Sequence, residues 1–344
     1  MGVDLGDLIP RVKVSLDQLS GRSIAVDAYN MLYQFLSIIR GSSGEPLMDQ
    51  RGRVTSHLSG LFYRSLNMAE KGLKLVYVFD GTPPALKEAE LKARARVKNE
   101  ALVRYREALD KGDLEAVRRY AQMTARLKDE MVEDSRRLLD LMGIPWVQAP
   151  SEGEAQAAYM TVKGDVWATA SQDYDALLFG ALRLLRNLAV TGRRKLPRRD
   201  TFIEVEPELI ELDRISAYLS LSRVQLVDLG ILIGTDYNPG GVRGVGPKTA
   251  LKLLRDHGSL ELIVEAEPEL GLPENYREIR DVFLNPKVSD DYRLEWRPPD
   301  VEGIVSFLCR ERDFSEARVR GALEKSMTSL KTHEVKRTLE SFFG

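Results

Sequence analysis

Cysteine is almost absent: Cys309 is the only one in 344 residues. One thiol can build neither a disulfide framework nor a cysteine-rich zinc site. Histidine is scarce too, with only His57, His257 and His333. Asn and Gln together number 15 while Glu and Arg are abundant, a thermophile-like balance. No apolar run approaches the ~18 residues of a membrane span. The start, MGVDLGDLIP, lacks the basic-then-apolar order of a signal peptide. Gly6 breaks the myristoylation pattern. These absences point to a cytoplasmic protein with no membrane partner.

What is present describes an ordinary globular chain. Hydrophobic residues make up 43% and charged residues 30%, which excludes a disordered protein. The net charge of -2 argues mildly against nucleic acid, but distribution matters more than the sum. Residues 183–199 carry seven basic side chains and no acidic one, and residues 87–106 carry seven basic and three acidic. Either run alone reads most simply as a solvated charged face.

Five short runs rich in β-branched residues predict strands over 22–29, 73–81, 143–150, 165–173 and 201–207. Amphipathic patterns predict helices over 30–40, 55–71, 85–109, 114–141 and 152–162. That alternation predicts an α/β fold with a mainly parallel central sheet flanked by helices. Beyond about residue 208 the pattern turns mostly helical, and 270–300 is irregular and punctuated by proline.

The stretch PSEGEAQAAY, residues 150–159, crowds Glu152 and Glu154 at a helix start. Ser151 and Glu154 have the spacing of a capping box, and acids suit a first helical turn. Other acids share the position, however. Asp27 follows SIAV, Asp80 follows LVYVF, and Asp173 and Asp175 follow VWATASQ. Each group lies just past a predicted strand's C-terminal end, where open α/β sheets bind ligands. A lone Asp there would read as a cap or turn former. Together, so many anions repel one another unless cations balance them.

An all-carboxylate donor set suits Mg²⁺, with Mn²⁺ as a substitute, and disfavours zinc or copper. Six or seven carboxylates exceed the needs of one Mg²⁺. Two ions ~4 Å apart would use them, an arrangement that serves phosphodiester hydrolysis.

Two further segments suit phosphate. GTDYNPGGVRGVGPKTALKLL, residues 234–254, leads Gly244 and Gly246 into a helix whose N-terminus can bind phosphate. Pro247 separates Gly246 from Lys248 and so breaks a Walker A loop, while fitting a first helical position. Its shape is a helix–hairpin–helix, which grips a nucleic-acid backbone without reading sequence. Asp236 stands at its front as a possible seventh carboxylate. In the helix after Asp80, Lys87, Arg94 and Lys98 fall on one face, able to reach a scissile phosphate.

With these residues in hand, the chain resembles the flap endonucleases, structure-specific 5′ nucleases of the XPG superfamily, in their archaeal form. The resemblance runs nearly end to end. It is carried by MGVDLGDLI, IAVDAYNMLYQFL, TSHLSGLFYR, VYVFDGTPPALKEAEL, APSEGEAQAAYM, SQDYDALLFG, GTDYNPGGVRGVGPKTALKL and TLESFF. It implies a PIN-like 5′ nuclease fold with a helical arch and a helix-two-turn-helix region. Its division of the chain would be an N-terminal nuclease region at 1–105, an arch at 85–130 and an internal nuclease region at 122–270. The DNA-binding segment would be 234–258, followed by a wrap-around region at 271–330 and a clamp-binding tail at 331–344.

The resemblance also implies roles. Asp80, Glu152 and Glu154 would hold a first Mg²⁺, with Asp27 acting through water, and Asp173, Asp175 and Asp236 a second. Lys87 and Arg94 would polarise the scissile phosphate, and Tyr33 would stack on the nucleotide at the cleavage position. Gly2 would pack near the active site, and Thr55 and Arg64 would cradle a one-nucleotide 3′ flap. Gly244, Gly246 and Lys248 would bind duplex phosphate with the help of K⁺. The expected activity is 5′ flap cleavage with an associated 5′-3′ exonuclease, in Okazaki fragment maturation and DNA repair. The expected enzyme is a monomer, associated with the nucleoid.

Leu339, Phe342 and Phe343 match a sliding-clamp (PCNA) motif, but Lys336 stands where that motif has Gln. Two rival readings remain. One is a sister Holliday-junction or bubble-cutting nuclease; the other is a junction-binding or clamp-scaffold protein with a dead site.

Overall fold

A computed structural model describes residues 2–41, 44–113, 116–117, 119–120, 126–195 and 202–343, with the side chains of 109, 193–195, 202–203 and 330–343 left aside. Seven strands form one sheet: β1 (Val12–Lys13), β2 (Ser23–Asp27), β3 (Lys74–Phe79), β4 (Trp146–Gln148), β5 (Ala168–Ala170), β6 (Arg183–Arg186) and β9 (Glu208–Glu211). Their order is β1-β9-β6-β5-β2-β3-β4. The run from β6 to β4 is parallel throughout, and β9 joins it antiparallel. The remaining pair, β7 (Gly192–Lys195) and β8 (Phe202–Val205), makes a separate antiparallel ribbon.

The apolar alternation in these strands serves two faces. Ile24 and Val26 of β2 join one core with Leu75, Tyr77 and Phe79 of β3. Ala25, Val76 and Val78, one residue out of step, pack on the other face with Val147, Ala157 and Met160. Strands buried on both faces read as near-continuous hydrophobic runs, and SIAVD and LVYVF do.

Predicted strands 22–29, 73–81, 143–150 and 165–173 are β2 to β5. The strand expected over 201–207 exists as β8, but in the ribbon rather than the sheet. Helices Ala28–Ile38, Ser56–Glu70, Glu88–Asp110 and Gly153–Lys163 answer four of the five helical expectations. The fifth, 114–141, does not run as one helix: 126–128 are non-helical and Asp129–Met142 follows them. Part of that span, 114–115, 118 and 121–125, lies outside the described residues, as does part of the expected arch.

The second half is helical, with Arg223–Ile233, Pro247–His257, Leu260–Ala266 and Tyr276–Leu284 forming a core beside the sheet. Residues 285–300 then cross the molecule without regular structure. Tyr292, Leu294 and Trp296 cover the core beneath β3 and β4. The Trp296 indole N–H donates to the Leu75 carbonyl at 2.8 Å, and Arg297 N–H to Gly143 at 2.9 Å. Gln156 exchanges two bonds with the Ser289 backbone, both 2.8 Å. No single described helix is long and apolar enough to cross a membrane.

Candidate active site

Four adjacent parallel strands, β4-β3-β2-β5, end at one edge of the sheet, and each exit carries acids. Asp27 ends β2 and caps the following helix, accepting from Asn30 N–H at 2.9 Å. Asp80 follows β3 and accepts from Gly153 N–H at 2.6 Å, which ties it to the β4 exit. The turn after β3 packs so closely there that a Cβ on Gly81 would lie 2.2 Å from the Ala149 carbonyl oxygen. Asp173 and Asp175 follow β5. Asp236 arrives from the other direction, just beyond helix Arg223–Ile233.

A cleft of about 1080 Å³ is lined by Asp27, Asp80, Glu152, Glu154, Asp173 and Asp236. Lys87, Arg94, Lys98 and Tyr33 line it as well. Asp175 sits behind this wall, 4% exposed, with its Oδ1 accepting from Val3 N–H at 2.7 Å. The strand-end acids thus share one cleft with Lys87, Arg94 and Lys98.

The capping box does not form. Glu152, not Ser151, is the N-cap residue, with no side-chain cap bond. Ser151 donates instead to the Thr82 carbonyl at 3.2 Å. Glu154 turns toward β5 and accepts from Ser171 Oγ at 2.5 Å. The β5 exit offers Glu154 a donor on the site side, which its own N-cap does not.

The cations sit among the anions. Lys87 Nζ is 2.7 Å from Glu152 and 3.0 Å from Asp236, and Arg94 reaches Asp236 at 2.7 Å. Arg94 also pairs with Glu90, one turn back on its helix. Lys98 Nζ lies 4.3 Å from the Tyr33 ring centroid.

Burial, together with the neighbouring carboxylates, raises several of the acids. Asp80 is pushed up to about 6, by burial first and then by Glu152, against the pull of the Gly153 N–H and Lys87. Asp175 is pushed up to about 7 by burial and Asp236. Asp27 and Glu154 are raised well above the carboxylate range, chiefly by burial. Burial acts upward on Asp236 also, but Lys87 and Arg94 outweigh it and hold that group low.

Lys87 and Arg94 supply two positive charges against seven carboxylates, so the site suits further cations. Its donors are all oxygen, which fits hard divalent ions. Among the described residues no three of the acids are drawn round a single point.

Other expected residues lie apart from the cleft lining. Gly2 reaches the acids from below: its N–H is 3.4 Å from Asp173, and a Cβ would lie 2.5 Å from Asp175 Oδ1. Thr55 is the buried N-cap residue of helix Ser56–Glu70, and exposed Arg64 donates to the Thr191 carbonyl at 2.9 Å. Gly246 is the N-cap residue of Pro247–His257, with Pro247 at its first position and Lys248 exposed. Gly244 has φ +80°, and a Cβ at either glycine would meet nothing within 4 Å. Helix Glu316–Phe343 runs through the tail, but the side chains of Lys336, Leu339, Phe342 and Phe343 lie outside the described residues.

Sequence reasoning missed Ser171 and Asn30. Ser171 donates to Glu154, and Asn30 Nδ2 donates to Asp173 at 3.0 Å. Both are uncharged and neighbour the acids in sequence, a signal too common to single out.

The chain matches the XPG N-terminal domain over residues 1–101 and the XPG I-region over residues 143–236. It is 56% identical over 336 residues to flap endonuclease 1 of Hyperthermus butylicus, which covers 97% of this chain and 96% of that protein. Against flap endonuclease 1 of Pyrococcus abyssi the identity is 52% over 343 residues, covering 100% and 98%. The solved flap endonuclease-1 from Methanococcus jannaschii superposes with a TM-score of 0.76 at 44% identity, covering 96% of this chain and 99% of that one. With sequence, architecture and both domain matches in agreement over nearly the whole length, the chain belongs to the flap endonuclease 1 family.

Proposed function

We propose that the chain is a structure-specific 5′ flap endonuclease that hydrolyses one phosphodiester bond where single-stranded 5′ flap meets duplex. An associated 5′-3′ exonuclease and roles in Okazaki fragment maturation and DNA repair go with it. The observation that carries this proposal is the set of seven acids from four adjacent strand exits and one helix end, with Lys87 and Arg94 bonded among them.

In this reading Asp80, Glu152 and Glu154 would hold one Mg²⁺, with Asp27 acting through water, and Asp173, Asp175 and Asp236 would hold another, with Mn²⁺ as a substitute. Ions bound to these oxygens supply charge neutralisation and an acidified water. Lys87 and Arg94 bind the scissile phosphate and stabilise the charge it gains in the transition state. Tyr33 presents its ring to the nucleotide at the cut, and Lys98 on the arch face steadies the strand.

Thr55 and Arg64 cradle a short 3′ flap. The open backbone at Gly244 and Gly246, with Lys248 and a K⁺ ion, grips duplex phosphates. The working parts follow the expected divisions: nuclease regions at 1–105 and 122–270, arch at 85–130, DNA-binding segment at 234–258, wrap-around at 271–330 and tail at 331–344. The protein acts as a monomer in the cytoplasm at the nucleoid. Leu339, Phe342 and Phe343 dock on a sliding clamp (PCNA).

The deciding experiment incubates the protein with labelled double-flap DNA, and separately with a four-way junction, in Mg²⁺ and in EDTA. Cleavage of the flap at one junction-proximal position, in Mg²⁺ alone, is expected. Preferential resolution of the four-way junction would favour the sister nuclease, and metal-independent or absent cleavage would refute the proposal.

A further inference from the structure

Asn30 occupies the first turn of the helix that follows β2. Its backbone N–H donates to Asp27 Oδ1 at 2.9 Å, while its side-chain Nδ2 donates to Asp173 Oδ2 at 3.0 Å. A single residue thereby bonds acids from two neighbouring strands, β2 and β5, which run in register at Val26 and Ala170. The bond to Asp27 anchors the Asn30 backbone, so the amide's reach toward Asp173 is referenced to the other acid.

Asp173 has particular need of this. Asp80 and Asp175 accept backbone N–H bonds at 2.6 and 2.7 Å, and Glu154 accepts Ser171 Oγ at 2.5 Å. Asp173 receives a backbone N–H only at 3.4 Å, from Gly2. Its short bond comes from Asn30.

The amide is itself oriented. Gln34, one turn further along the helix, donates Nε2 to Asn30 Oδ1 at 2.6 Å. A carboxylate only accepts, so Asn30 must turn its NH₂ group toward Asp173 and its oxygen toward Gln34. The relay Gln34–Asn30–Asp173 fixes each amide in one of its two flips.

We infer that Asn30, oriented by Gln34, is a positioning residue that sets the Asp173 carboxylate relative to Asp27 for cation binding. This rests on the two-cation reading of the site. Outer partners of ligating carboxylates typically change metal affinity or activity by about 10–100-fold when removed.

The test uses the full-length protein, with Mn²⁺ alone as the binding probe, titrated calorimetrically without DNA. Asn30→Leu should weaken one Mn²⁺ binding event by about 10–100-fold and lower kcat on flap DNA by a similar factor. KM for the flap should stay within about threefold, because duplex contacts elsewhere supply affinity. Gln34→Glu is the sharper variant. The new carboxylate forces the Asn30 amide to flip, aiming its oxygen at Asp173. Added negative charge alone would tighten Mn²⁺ binding; lost orientation predicts weaker binding.

Wild-type Mn²⁺ affinity in both variants overturns the inference, as does tighter binding in Gln34→Glu. If Asn30→Leu fails to fold, Gln34→Glu decides. A wild-type protein that binds Mn²⁺ but cuts no flap would remove the functional reading, while the comparison of affinities would still judge Asn30.

Discussion

Gly2→Ala is a change of one methyl group, and the structure sets its cost. The new Cβ would lie 2.5 Å from Asp175 Oδ1, 2.7 Å from Cγ and 2.9 Å from Oδ2. Ordinary contact begins at 3.4 Å, so a gap of about 0.9 Å must open. Residue 2 cannot simply back away. Val3 is 2% exposed and Leu5 fully buried in the core, and Val3 N–H holds Asp175 at 2.7 Å. The carboxylate itself therefore has to move. A misplacement of about 1 Å in a catalytic constellation can cost about 10²-fold in rate. Single-turnover cleavage of a double-flap substrate should fall by that order, with junction affinity nearly unchanged. The melting temperature should drop only slightly, because a single carboxylate side chain has to shift. A variant that cleaves within about twofold of wild type would refute the claim that residue 2 abuts a working carboxylate.

Asp175→Asn should abolish cleavage yet leave junction binding within about an order of magnitude, since phosphate contacts elsewhere carry affinity; wild-type turnover would contradict it. Lys87→Ala and Arg94→Ala should each lower the single-turnover rate by about 10²-fold or more. A loss confined to affinity would make them docking residues. Deleting residues 336–344 should spare cleavage of free flap DNA and remove stimulation by the clamp, with little change in melting temperature. His57 makes one contribution to the pH dependence of folding. It is fully buried, neither ring nitrogen has a hydrogen-bond partner, and burial plus the Arg312 charge push it down to about 3 from an ordinary 6.5. The unfolded chain therefore takes up a proton that the folded chain refuses. The His57 contribution is whole above pH 6.5 and falls by about 1.4 kcal/mol per pH unit from there down to about pH 3. His57→Met should flatten the loss between pH 7 and 4.5 in denaturant titrations, and parallel losses in both proteins would count against it.

The acids were legible because a strand exit is a sequence-local event: an apolar run, then Asp or Glu. β2 to β5 and their helices follow from the same patterns. β6 was hidden because its sequence, RLLR, opens a basic run that reads as solvated charge. In the fold Arg186 lies 4.1 Å from the Tyr174 ring centroid and donates to the Gln172 carbonyl, so its charge marks a packed strand end. Long stems let arginine cover apolar surface while the head finds partners. Spacing alone ties Glu154 to its own helix start, but its hydrogen-bond partner Ser171 is 17 residues away. Such contacts depend on which strands become neighbours, and no local pattern encodes that.

The irregular segment 285–300 has a consequence for the order in which the protein is made. Trp296 bonds Leu75, a partner 221 residues earlier, and Ser289 pairs with Gln156 across 133 residues. Helix Gly153–Lys163, which carries Glu154, thus gains its cover only when the last quarter of the chain leaves the ribosome. Until then the surface beneath β3 and β4 lacks the cover that Tyr292, Leu294 and Trp296 give it. Contacts this distant in sequence are closed late, since the loop entropy must be met before they reward it. A ribosome that stalls after residue 270 would hold a sheet with its strands in place and its strap missing.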